Sequence, residues 1–145
     1  MSAIVHDIGK IVRPAEAPGN PGGLDEMATK MYMIKMHPEI GSRILEKIAF
    51  PYPVAQIVLQ HHERINGSGY PSGISGDAIL LEARILGAAD VVAGFVSHES
   101  SRWAAGIKEA LKELTNNKGI LYDPAIVNAC MEFIGRECWP LEEKI

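Results

Sequence analysis

The chain has 145 residues, one domain's worth, and a chain of that length buries roughly 68–70% of its unfolded surface around a single good core. Apolar residues at 47% and charged residues at 22% exclude a disordered polymer, and a net charge of −4 excludes a surface built to coat a nucleic-acid backbone. Any phosphate it binds must therefore meet a local positive site.

The elements read as helices from start to end, with no alternating strand pattern to compete. Arg13 to Gly23 is a loop near the site, rich in proline and glycine. Leu24, Met27, Met31 and Ile34 fall at helical spacing and predict a helix over Leu24–Met36 with Asp25 as its cap. Pro38 is expected to end that helix and open a second, Pro38–Ile48, with Ile40, Ile44, Leu45 and Ile48 on its apolar face. After Pro51 and Pro53, the face Val54, Ile57, Val58, His61 predicts a helix that stops near His62, because Gly67, Gly69, Pro71, Gly73 and Gly76 follow.

Leu80 to Val96 is dense enough in apolar residues to predict a buried central helix, with Gly87, Ala88 and Ala89 admitting a close neighbour. Trp103–Leu114 is amphipathic and ends at Asn116, Asn117 and Gly119. Asp123-Pro124 opens a last helix, with Ile126, Val127, Cys130, Met131 and Ile134 on its inner face. The longest apolar stretch, Ile79 to Val96, is broken by Glu82, Arg84 and Asp90, and no leader pattern is present, so the chain reads as a soluble cytoplasmic protein. Cys130 and Cys138 match neither a zinc knuckle nor a redox pair and read as buried or idle thiols.

Chemistry concentrates in four segments. His6-Asp7-Ile8-Gly9-Lys10, His37-Pro38-Glu39-Ile40-Gly41, His61-His62-Glu63-Arg64 and Asp90 together hold four of the five histidines, a pattern suited to a metallohydrolase rather than to scattered surface polarity. His6 and Asp7 diverge by about 100° on a helix, so both cannot be ordinary core residues. Asp7 suits a carboxylate that bridges two ions, and Lys10, on the same face, suits a phosphate oxygen. The plainer reading is the polar face of an N-terminal helix.

His61 and His62 converge if the helix ends between them, whereas a single histidine there is ordinarily a cap on terminal carbonyls. Gly67 and Gly69 permit positive φ angles, and Tyr70-Pro71 stiffens the loop. His37 projects either into a cleft or into solvent. Asp90 is a lone acid in a run fit for burial, where it needs a metal, or else Arg84 or an amide, as partner. Mixed imidazole and carboxylate donors suit iron, manganese or zinc better than calcium.

Taken together, these motifs resemble the HD-GYP family of HD-domain metal-dependent phosphohydrolases, over His6 to about Asp123. His6-Asp7-x-Gly9-Lys10 corresponds to the HD motif, His37-Pro38-x-x-Gly41 to the middle histidine motif, and His61-His62-Glu63-Arg64 to the paired histidines. Gly69-Tyr70-Pro71 is the name-giving loop and Asp90 the late aspartate. The resemblance implies an all-α HD-domain helical bundle, two or more divalent transition metal ions, iron or manganese, and hydrolysis of cyclic di-GMP through a metal-activated hydroxide.

It also implies roles. His6, Asp7, His37, His61, His62 and Asp90 would be metal ligands with Asp7 bridging. Asp7 and Lys10 would be catalytic, and Lys10, Arg64, Gly69, Tyr70, Pro71 and Arg102 would contact substrate. A diguanylate cyclase or another signalling protein is the partner class it brings, with no nucleic-acid polymer and no membrane.

The chain departs from the family pattern in three places. Members carry an upstream helix with a first histidine ligand, whereas five residues precede His6, so the reading is a single HD-GYP-like domain, 1–145, truncated at its N-terminus. After Asp90 the chain has Ala93 and His98-Glu99-Ser100-Ser101-Arg102 in place of a further Asp and an Asp-Arg-Pro-Tyr-Arg-like stretch, and Asn66 replaces an Asp. Two other readings follow: an HD-type phosphohydrolase of another nucleotide, favoured by Glu99, and a catalytically silent interaction module. In the second, the apolar surface left by the upstream helix drives a homodimer, with segments exchanged between protomers.

Overall fold

The computed structural model describes residues 1–11, 26–98 and 103–137. Its helices are α1 (Ser2–Val5), α2 (Glu26–Leu45), α3 (Val54–Gln60), α4 (Leu81–His98), α5 (Trp103–Asn116) and α6 (Pro124–Glu137), with short 3-10 turns at Ile8–Ile11 and Gly76–Ala78. Among the described residues no strand forms; Lys118 and Tyr122 make an isolated bridge. The predicted all-α bundle is the observed one.

Three apolar clusters hold the helices together, and α4 lies between two of them. Leu45, Val54 and Val58 join α2 to α3, with Val5 and Ile8 of the N-terminal segment packed on them. Ile57 of α3 meets Ala83 and Leu86 of α4, and Ala88 on α4's other side meets Leu114, Tyr122, Ile126 and Val127. α4 is not buried all round as its sequence predicted: Leu81, Ile85 and Phe95 are exposed, because its neighbours cover only two of its faces. No helix among the described residues is long and apolar enough to cross a membrane.

Pro38 does not divide two helices. α2 runs unbroken from Glu26 to Leu45 with Pro38 buried inside it, and it stops three residues short of Ile48. Proline in a helix interior removes the bond its N–H would make to the carbonyl four residues earlier, here Ile34. The helix survives because that carbonyl finds another donor, described below. The Leu24 start, the Asp25 cap and the Arg13–Gly23 loop lie outside the described residues, as do Cys138, Glu99 and Arg102.

At the other end the reading of Asp123 holds. Its Oδ1 accepts the Ala125 N–H at 2.8 Å, capping α6, and its Oδ2 accepts Arg84 Nη1 at 2.8 Å. Arg84 is thereby committed to Asp123 and Asp77, not to Asp90. Cys130 is a free, half-buried thiol whose pKa burial pushes up.

Candidate metal centre

Close backbone approaches bring the motif segments together. A Cβ on Gly9 would lie 2.1 Å from the His37 carbonyl oxygen, so only glycine lets the turn carrying His6 and Asp7 sit against α2. A Cβ on Gly87 would lie 2.5 Å from the His61 carbonyl oxygen, so the end of α3 rests on α4 one turn before Asp90. Gly69 is confined for the same reason: its Cβ would meet the backbone of residues 62–64 at 2.4–2.5 Å. Gly67 takes the positive φ expected of the loop, whereas Gly69 does not.

The side chains fall into two adjoining groups. His37, His61 and His62 offer ligand atoms that all lie within 4.8 Å of one another, with His37 Nε2 3.3 Å from His61 Nε2. His6 Nε2 lies 3.3 Å from Asp90 Oδ1 and 3.7 Å from Asp7 Oδ2. Asp7 joins the groups, its Oδ1 being 3.4 Å from His37 Nε2. All six residues proposed as ligands from sequence therefore share one locality, although they come from four separate segments.

Three of the imidazoles are oriented in one way. Nδ1 of His6, His37 and His61 meets the backbone carbonyl three residues earlier, at Ala3 (2.8 Å), Ile34 (2.5 Å) and Val58 (2.6 Å). A carbonyl only accepts, so Nδ1 carries the proton and Nε2 presents its lone pair to the centre. Each carbonyl lacks its regular helical donor, since α1 and α3 have ended and Pro38 has no N–H. Ala3, Ile34 and Val58 act through backbone and carry no side-chain signal; only Pro38 marks one of them in the sequence.

Electrostatics favour uncharged imidazoles. Burial lowers the His37 pKa, and the Lys10 charge adds to it. Burial likewise takes His61 down to about 4, and burial with the His61, His37, Arg64 and Lys10 charges takes His62 to about 2. Burial acts to raise Asp7, but the Lys10 hydrogen bond and the His6, Lys10 and His37 charges outweigh it and hold the carboxyl below its ordinary value. Neutral nitrogens and an ionised carboxylate are the donor states a divalent ion requires.

Lys10, Tyr70 and Arg64, expected from sequence to meet substrate, adjoin this centre. Lys10 Nζ donates to Asp7 Oδ2 at 2.6 Å. Tyr70 stacks on His62, ring centroids 4.8 Å apart at 24°. Buried Glu63 pins the loop carrying Tyr70 and Pro71, its Oε1 accepting the N–H groups of Ser72 (2.7 Å) and Gly73 (3.1 Å). Arg64 faces inward: Nη1 donates to the carbonyls of Glu63 (2.9 Å) and His61 (3.4 Å), and the guanidinium lies 5.3 Å from the Tyr122 ring centroid.

Residues 1–126 match the family described as HD domain. The chain is 41% identical over 133 residues to the cyclic di-GMP phosphodiesterase response regulator RpfG of Xanthomonas campestris, spanning 90% of this chain and 35% of that protein. It is 35% identical over 133 residues to a cyclic di-GMP phosphodiesterase of Thermotoga maritima, spanning 90% of this chain and 36% of that one. A 3'3'-cGAMP-specific phosphodiesterase 3 of Vibrio cholerae is 32% identical over 123 residues, spanning 85% of this chain and 26% of that protein. The crystal structure of the Vibrio cholerae cyclic GMP-AMP specific phosphodiesterase V-cGAP3 superposes with a TM-score of 0.69 at 21% identity, over 94% of this chain and 37% of that one, a likeness of fold. The chain belongs to the HD-domain family, in its HD-GYP branch. It spans about a third of the length of the first relatives it matches.

Proposed function

We propose that the chain is the hydrolytic unit of a metal-dependent cyclic dinucleotide phosphodiesterase and that cyclic di-GMP is its substrate. The observation that carries this reading is the cluster of His37, His61 and His62 ligand atoms within 4.8 Å, joined through Asp7 to His6 and Asp90. The names of the relatives supply the substrate class, and both cyclic di-GMP and 3'3'-cGAMP occur among them.

The residues present fit divalent transition metal ions. Nitrogen donors locked in one tautomer, with neighbouring carboxylates, suit iron or manganese, and backbone carbonyls behind the imidazoles are the outer support such ligands use. His37, His61 and His62 would hold one ion, His6 and Asp90 another, and Asp7 would reach both. Bound there, divalent ions lower the pKa of water and offset phosphoryl charge.

The chain's own groups prepare the site for that chemistry. Lys10 places an ammonium beside the Asp7 carboxylate, where a phosphate oxygen would be drawn. Tyr70 covers one face of His62 and limits water at it, and Tyr70 and Pro71 form the rim that substrate meets. Gly69 and Arg64 hold that rim against the 61–64 turn.

The test is turnover by protein loaded with Mn²⁺ or Fe²⁺, followed by chromatography of products from cyclic di-GMP, 3'3'-cGAMP and cyclic di-AMP. Linear dinucleotide or GMP from cyclic di-GMP, abolished by chelator, is the expected result. Metal uptake without hydrolysis of any of the three would leave the silent interaction module in its place.

A further inference from the structure

Between α4 and α5 lies a cavity of about 620 Å³ whose walls include none of the proposed metal ligands. Its walls include Gly94 and Phe95 of α4, Gly106, Glu109 and Glu113 of α5, and Tyr122. Two features tie it to the centre. Gly94 follows Asp90 by four residues, hence on the same face of α4 and about 6 Å along the axis. Tyr122 sits beneath the guanidinium of Arg64, which follows His62 by two residues. Gly106 sets the helix spacing, since a Cβ there would lie 2.7 Å from the Phe95 carbonyl oxygen.

We infer that this cavity receives one guanine base of the cyclic dinucleotide, with Glu113 reading its Watson–Crick edge. The inference rests on the phosphodiesterase reading above and gives it a specificity residue. Asn117 Nδ2 (2.9 Å) and the Tyr122 hydroxyl (3.2 Å) both donate to Glu113 Oε1, fixing the carboxylate in place, and among the described residues no donor meets Oε2, the oxygen that would accept from a ligand. Guanine presents two adjacent donors on that edge, N1–H and the 2-amino group, which match an acceptor-only carboxylate. Glu109, one turn earlier on α5 and paired through Oε2 with Lys112 Nζ at 3.8 Å, adds a second carboxylate to the wall.

Adenine offers an N1 lone pair at the same place and is repelled, so discrimination comes as much from the mismatch as from the match. The Phe95 ring, 40% exposed, offers an apolar face for stacking. A ligand with at least one guanine satisfies the pocket, so cyclic di-GMP and 3'3'-cGAMP fit and cyclic di-AMP does not.

The test is calorimetric binding of hydrolysis-resistant phosphorothioate analogues of cyclic di-GMP and cyclic di-AMP to the Mn²⁺-loaded chain and to Glu113→Gln and Gly94→Leu. A Cβ on Gly94 meets nothing within 4 Å, and leucine favours helix over glycine, so Gly94→Leu directs a side chain into the cavity, with circular dichroism and a thermal melt checking that the variant keeps the fold. Wild type should prefer the guanine analogue by about tenfold or more. Glu113→Gln should collapse that preference by weakening the guanine analogue alone, and Gly94→Leu should weaken it about tenfold or more by occupying the space. Equal binding of the two analogues by wild type, or an unchanged preference in both variants, overturns the assignment. Separately, wild-type hydrolysis of bis(p-nitrophenyl) phosphate, which has no base, tests the phosphodiesterase reading itself: its absence would sink that reading while the binding ratio still decides the pocket.

Discussion

His37 Nδ1 donates to the carbonyl of Ile34 at 2.5 Å, the acceptor that Pro38 leaves without its helical donor. The proline after His37 is thus a device for aiming an imidazole. Pro38→Ala restores an N–H that competes for that carbonyl and should loosen the ring. Outer-shell losses of this kind typically cost about 10–100-fold in metal affinity, and about tenfold is expected here, without loss of helix. Chelator competition followed alongside circular dichroism checks it; an unchanged affinity would show that the ring is held by packing alone.

Gly9→Ala places a methyl group 2.1 Å from the His37 carbonyl oxygen, where no flexible side chain can give way. The turn carrying His6 and Asp7 must then lift off α2. Overpacking of this sort costs roughly 1–3 kcal/mol and separates the two halves of the metal centre. Denaturant unfolding and metal content should fall together, whereas stability lost with full metal content retained would contradict the arrangement.

Glu63→Ala removes the acceptor for the Ser72 and Gly73 N–H groups. Leaving such donors without a partner costs about 1–3 kcal/mol, and Tyr70 loses its support over His62. Limited proteolysis should cut within residues 67–73 of the variant far faster than in wild type. Tyr70→Phe, which keeps the stacked ring, should behave as wild type in the same assay.

The metal-free protein should weaken in mild acid. His61 and His62 are held at about 4 and about 2, below their ordinary 6.5, chiefly because burial disfavours the charged ring. The unfolded chain then binds protons before the folded one does, so stability is full above pH 6.5 and is lost as pH falls toward about 4. Thermal melts of chelator-treated protein at about pH 8 and about pH 5 should show the lower midpoint in acid. A midpoint that holds steady across that range would mean the imidazoles are not buried neutral.

Residue pattern by itself determined the helical class, the helices from Val54 onward to within a few residues, and which imidazoles and carboxylates gather in one place. Periodicity of apolar positions and the chemistry of His and Asp are local properties, legible wherever they occur. Tertiary structure decided what local signals cannot express. Pro38 was legible as a helix breaker, but its fate depended on a carbonyl finding His37. Asp90 was legible as an acid needing company, but His6, far away in sequence, is the neighbour it meets. The cavity beside Glu113 exists only because α4 and α5 touch at Gly106, a contact between segments that carries no mark in either one alone.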